Sequence, residues 1–172
     1  MVLLIDLLHN FLHFSHRNLS MRSFFLDAER GTLRLGGLEH CCPLPQGLHS
    51  ASSLYPTSAP CSQRAITNLP PELLLLPSGV KYAPVSTKED SWALGCIFFW
   101  MLSGCQPFCE KSKFAVLLRI FKTFGTPSSN FLDYHSLFER DLEGEGDQDC
   151  VVRLVTQLPQ WPEMDLMELV FG

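Results

Sequence analysis

Between Ser91 and Ser103 the chain reads SWALGCIFFWMLS, an almost unbroken apolar run. A helix with no polar face has to be buried on all sides. Its apolar centre, Gly95–Leu102, is far shorter than the ~20 residues needed to span a bilayer. It therefore predicts a core helix of a packed domain. Gly104 stops it, and Pro107 keeps it from restarting at once.

The rest of the composition agrees with a packed chain. Of 172 residues, 46% are hydrophobic and 18% charged, which excludes disorder as the default and fits one globular domain. Thirteen Lys+Arg against 18 Asp+Glu give a net charge of −5. That charge, with no long Lys/Arg run, exerts no general pull on nucleic acid or anionic lipid. The expectation is no nucleic-acid partner and no membrane. The greasy start, MVLLIDLLHNFLHF, is interrupted by Asp6, His9 and His13, and no positive residue precedes it, so it does not read as a signal peptide. The seven cysteines include no C-x-x-C pair. An odd count without a secretory signal suggests reduced thiols in an intracellular protein, cytoplasmic or nuclear, with Cys96 a small core residue. His9, His13 and His16 fall at i, i+4 and i+7, but no acidic or Cys ligand joins them in sequence, so a metal reading is not favoured.

Four zones follow one another. Leu4, Leu7, Leu8, Phe11 and Leu12 have the spacing of one helix face over Val2 to Phe14. In His16 to Leu38, SFFLD and TLRL flank Glu29-Arg30-Gly31 and predict a small hairpin. His40 to Pro71 is a long loop rich in Pro, Ser, Thr and Gly, of a length that is usually functional or disordered. The fourth zone is helical: after the apolar run comes Lys113–Phe124, with Phe114, Leu117, Leu118, Phe121 and Phe124 predicted on one face and Gly125 and Pro127 closing it. Lys113, Arg119 and Lys122 either contact an acidic partner or, the favoured reading, make a solvated face. Asp141–Asp149 is an acidic loop, and Asp165–Val170 a helical turn.

The order of these pieces resembles the C-terminal lobe of a eukaryotic protein kinase, nearest to the cyclin-dependent-kinase-like group. His16-Arg17-Asn18-Leu19-Ser20 stands where that family has His-Arg-Asp-Leu-Lys. Ser23-Phe24-Phe25-Leu26 stands where it has Asn and an apolar strand. Leu33–Glu39 is similar to the strand leading into Asp-Phe-Gly, and Pro70-Pro71-Glu72 to Ala-Pro-Glu. Asp90-Ser91-Trp92-Ala93-Leu94-Gly95-Cys96 resembles D-x-W-S-x-G-C, and Gly104–Phe108 resembles G-x-x-P-F. Leu118–Pro127 is similar to R-I-F-x-x-L-G-T-P. Pro159-Gln160-Trp161-Pro162 with Asp165-Leu166 is similar to F-P-x-W-x-x-x-D-L. The last two point to the cyclin-dependent-kinase-like branch.

The resemblance implies a mainly α (α+β) fold: one kinase-like fragment over 1–172, helical with a small β hairpin and with the N-terminal lobe absent. Residues 1–39 would be the catalytic-loop region, 40–72 the activation-segment-like loop and 73–172 the helical remainder with its insert. Met1 falls where the helix before the catalytic loop would begin. The later helices, with the Arg that pairs with the Glu72 position, would lie beyond Gly172.

The family uses ATP and two Mg²⁺ ions. Here the base position is Asn18, whose amide cannot take a proton from a hydroxyl near pH 7. The Lys position is Ser20. The two metal-ligand positions are Ser23 and Gly37, and Phe25 takes the place under the adenine ring, where it either blocks nucleotide or is a tolerated core residue. The expectation is no phosphotransfer, no bound cofactor, and a protein partner for a pseudokinase-like domain. The alternatives are an incomplete record of a working Ser/Thr kinase and a decayed gene product. His16, Arg17, Glu72, Asp90, Trp92 and Gly95 carry structural roles by the same resemblance. Asp90 would be buried and accept backbone hydrogen bonds from the catalytic-loop region. Arg17 would either anchor its loop on Asp90 or bind a phosphate on Ser50, Ser52, Ser53, Thr57, Ser58 or Ser62. Trp92 and Trp100 would be core. Trp161 would cap the lobe or make an exposed aromatic contact.

Overall fold

The structure, a computed structural model, describes residues 1–44, 54–56, 66–75, 82–127 and 159–165. About half of these are helical, beside short antiparallel strand pairs, so the fold is mixed α+β. They fall into two compact units, Met1–Pro70 with Gly79–Cys109, and Pro71–Ser78 with Glu110–Gly172.

The first unit opens with α1 (Val2–Asp6), which runs into one π-helical turn over Leu7–Phe11. The i+5 bond from Leu12 N–H to Leu7 C=O marks that turn. It corrects the predicted face. Ile5, Leu8 and His9 point inward, whereas Leu7 and Phe11 are exposed at 48% and 73%. A π turn slips the helix by one residue, and here the slip brings His9 rather than Phe11 to the interior. His13, at φ +57, ends the turn.

Strand β1 (Phe14–Ser15) follows, then a 3₁₀ turn at Met21–Ser23. The predicted hairpin is present as β2 (Phe24–Asp27) and β3 (Thr32–Leu35), in register Phe24↔Leu35 to Asp27↔Thr32. Gly31, at φ +62, supplies the left-handed residue of the turn. The loop from His40 is not wholly irregular. β4 (Cys42–Pro43) pairs with β1, and β5 (Leu54–Pro56) pairs with β6 (Tyr82–Pro84). A 3₁₀ turn covers Ile66–Asn68. The six Ser and Thr named as phosphate candidates for Arg17 lie outside the residues whose side chains are described, as do the acidic stretch 141–149 and most of the helical turn at 165–170.

Helix α3 (Thr87–Ser103) begins at Ser86, whose hydroxyl accepts the Lys88 N–H, and ends at Gly104 with φ +78. A side-chain acceptor at this first position contributes about 1 kcal/mol. Ala93, Leu94 and Ile97 form the core of this unit with Ile5 and Leu19, while Met1, Phe24 and Leu35 pack at its edge. Cys96 is buried, and burial pushes its thiol up to about 12.

The helix is not buried on all sides, which corrects the expectation for the apolar run. Ser91, Gly95, Phe98 and Leu102 lie along one exposed stripe, and Leu102 is 67% exposed. A uniformly apolar sequence states that a helix is greasy, not which face finds a partner. Trp92 is half-buried and stacks on Phe108 at a centroid distance of 6.0 Å. The G-x-x-P-F-like segment thereby returns onto the helix it follows.

The second unit holds α2 (Pro71–Leu74) and α4 (Lys113–Phe124), which pack on each other. The bounds of α4 are those predicted. Ser112 caps it by accepting the Ala115 N–H. Its buried face is Val116, Leu117, Ile120, Phe121 and Thr123, with Phe114 and Phe124 more than 40% exposed. The predicted face is therefore turned by about one residue, because seven bulky apolar residues in twelve leave two helical stripes of similar weight.

Candidate functional site

Asp90 is the centre of the first unit's polar interior. It stands in the first turn of α3 and is fully buried. Its Oδ2 accepts from the His16 backbone N–H at 2.7 Å, the Ser15 hydroxyl at 2.9 Å and His9 Nε2 at 2.8 Å. Its Oδ1 accepts from the Arg17 backbone N–H at 2.7 Å. A buried carboxylate is costly unless its lone pairs are satisfied, and here four donors meet it. Three come from successive residues, so one side chain holds the shape of the loop. Arg17 adopts φ +64, a conformation costing an L-residue roughly 1–2 kcal/mol. Its bond to Oδ1 offsets that cost.

The Arg17 side chain is buried as well. Its Nε lies 3.7 Å from Glu89 Oε2, and Nη1 donates to Cys42 Sγ at 3.3 Å. Glu89 is itself buried, so the guanidinium already has an anion beside it. Burial pushes the neighbouring Cys41 thiol up to about 11, helped by the charge of Asp90.

His16 is fully buried. Its Nε2–H donates to Gly36 O at 3.0 Å and its Nδ1 accepts from Asn18 N–H at 3.3 Å. A carbonyl can only accept, so these two bonds fix the neutral tautomer with the proton on Nε2. None of the three histidines weighed as a metal set is arranged for one: His9 serves Asp90, His16 serves the backbone, and His13 is exposed.

Ser23 joins the loop to the hairpin. Its Oγ accepts the Ser20 N–H at 3.2 Å and donates to Asn18 O at 3.4 Å. Asn18, Ser20 and Ser23 are thus brought together by one small hydrogen-bonded turn. Gly37 adjoins them, with φ +75, and a Cβ built there would lie 3.8 Å from both Ser23 Oγ and His16 Cε1. The carboxylate nearest that point belongs to Glu39, whose Oε2 would be 3.9 Å from the same Cβ. Phe25 is 57% exposed, so it is not a core residue. Its ring comes against Gly36, where an added Cβ would lie 2.7 Å from Cε2. Phe25 therefore meets Gly36, while its neighbour Phe24 packs at the core's edge.

A cavity of about 10 Å³ opens beside this loop, lined by Arg17, Asn18, Asn68, Glu89 and Asp90 among others. That is room for about one water molecule. Asn68 Nδ2 donates to Leu19 O at 3.2 Å and closes one side. Of the other predicted positions, Gly95 is exposed with nothing within 4 Å of its missing Cβ, and Glu72 is half-buried on α2 in the second unit.

His9, Ser15 and Glu89 are the members sequence reasoning missed. His9 sits 81 residues from Asp90, and nothing local announces the pairing. In the second unit Trp161 is half-buried, with Lys122 Nζ 5.5 Å from its ring centre, and the bridge Phe124↔Glu163 ties its segment to the end of α4.

No protein-family model matches the chain. Over 131 residues it is 32% identical to the cell division control protein 2 homolog C of Antirrhinum majus, a match covering 70% of this chain and 37% of that protein. The chain thus spans little more than a third of the curated relative's length. The match supports a relation to the cyclin-dependent-kinase-like proteins that the motif order resembles. Among the described residues no helix is long and apolar enough to cross a membrane.

Proposed function

We propose that this chain is a degenerate kinase-like domain that transfers no phosphate, seats no Mg·ATP, and acts through contacts with another protein. The observation that carries this reading is the Ser20–Ser23–Asn18 turn beside Gly37. Phosphoryl transfer depends on charge neutralisation and positioning. At the four positions where the family places its base, its cation and its metal ligands, this chain has one amide, two hydroxyls and a glycine.

The Ser23 hydroxyl is occupied locally, and Gly37 is in a conformation that disfavours any side chain. Glu39 is a largely exposed carboxylate there, 4.0 Å from His40 Nε2. The residues present do not fit a pair of Mg²⁺ ions. Support for a protein partner comes from the exposed apolar side chains of the first unit, Leu3, Phe11, Leu26 and Leu102 among them.

Asn18→Asp tests the reading. Restoring the base alone is expected to give no transfer of γ-phosphate to a generic Ser/Thr substrate, because the metal positions stay empty of ligands. Measurable transfer by this variant would sink the proposal.

A further inference from the structure

The two sequence features that point most narrowly to the cyclin-dependent-kinase-like branch are one physical object in the second unit. The Thr126 hydroxyl donates to Pro159 O at 2.7 Å and accepts from the Trp161 N–H at 2.9 Å. Its own N–H donates to Trp161 O at 3.1 Å, and Met164 N–H donates to Thr123 O at 3.0 Å. Gly125, at φ +85, lets the chains approach; a Cβ there would sit 3.3 Å from both Glu163 N and Trp161 O. A single hydroxyl thus uses both its proton and a lone pair to hold residues 33 and 35 positions away.

Thr126 is followed by Pro127, and this is the one Ser/Thr-Pro dipeptide in the 172 residues. The covering is thin: Thr126 is half-buried, while Pro159, Pro162, Glu163 and Met164 are exposed.

We propose that Thr126 is a phosphorylation site for a proline-directed Ser/Thr kinase, and that the phosphate opens this clasp. The Thr126 oxygen attacks the γ-phosphorus of ATP held by that kinase. The bond from this phosphorus to the β,γ-bridging oxygen breaks, ADP leaves, and the hydroxyl proton passes to the kinase's own base. The ester oxygen then has no proton to give to Pro159 O. A dianion beside that carbonyl oxygen is repelled, and it competes with the Trp161 ring for Lys122. The hydroxyl cannot be both modified and latched, so phosphorylation traps the open form.

The test uses the full chain, a recombinant proline-directed Ser/Thr kinase and Mg·ATP, with the phosphate located by mass spectrometry and amide hydrogen exchange read at Trp161 and Met164. The expected result is phosphate on Thr126, absent from Pro127→Ala, with exchange at both amides about tenfold faster in the modified chain, the effect of losing hydrogen bonds worth about 1.4 kcal/mol. Thr126→Val without the kinase is expected to speed exchange similarly, while Thr126→Ser keeps it slow and still accepts phosphate. Phosphate only at other residues, or a phosphorylated Thr126 with unchanged exchange at Trp161 and Met164, would overturn the proposal.

Discussion

Asp90 shows how much one side chain decides. It receives two backbone N–H groups, a hydroxyl and an imidazole with almost no exposure to solvent. Removing it leaves those donors buried and unmatched, and breaking such a buried charged cluster costs about 3–5 kcal/mol. That is a large share of the ~5–15 kcal/mol that holds a domain folded. Asp90→Ala is therefore expected to lose most of the cooperative urea transition. Asp90→Asn, which keeps one acceptor oxygen but turns an amine toward the donors, should fall between it and the parent. A urea midpoint for Asp90→Ala equal to that of the parent would mean that the cluster is not what orders the loop. Asp90 was legible in the sequence because it opens the D-x-W motif and because a buried Asp has few reasons to exist other than accepting backbone bonds. His9 was not, since a histidine on an apolar helix looks the same whether it meets solvent, a metal or a carboxylate.

At the scale of elements, local punctuation was more legible than facing. The end of α4 follows from Gly125 and Pro127, and the β2–β3 hairpin from two short apolar runs around a charged Gly turn. These signals lie within a few residues of what they specify. The faces did not follow. The π turn after α1 changes which residues point inward, and α3 exposes a stripe that its sequence does not distinguish from its buried side. Which stripe is covered depends on elements far away in sequence. Gly95 makes the point testable. It sits in the exposed stripe of α3 in a helical conformation, and a Cβ there would meet nothing within 4 Å. Glycine in a helix interior costs roughly 0.5–1 kcal/mol relative to alanine. Gly95→Ala should raise the unfolding free energy by about that amount in urea titration. A loss of stability would instead show that α3 packs closely against something at Gly95.

At the scale of the whole molecule, two features meet. The fold keeps the structural parts that its motif order implies for a loop, a hairpin and a buried Asp, and the chain shares 32% identity with a cell division control protein homologue over 131 residues. On the proposed reading, Asn18, Ser20 and Ser23 of that loop, with Gly37 after β3, stand where phosphotransfer would need a base, a cation and two metal ligands. In this turn the Ser20 N–H donates to Ser23 Oγ, the Ser23 hydroxyl to Asn18 O, and the Asn18 N–H to His16 Nδ1. The proposed protein contact rests on the exposed apolar side chains of α1 and α3, Leu3 and Leu102 among them.

The most direct measurement is the thermal unfolding of the full chain with ATP, with and without Mg²⁺. The account predicts no Mg²⁺-dependent change in Tm. A ligand that binds only the folded state at a hundred times its Kd would contribute about 2.7 kcal/mol, enough to move Tm by several degrees. A rise of that size that appears with Mg²⁺ and disappears on chelation would contradict the reading of positions 18, 20, 23 and 37.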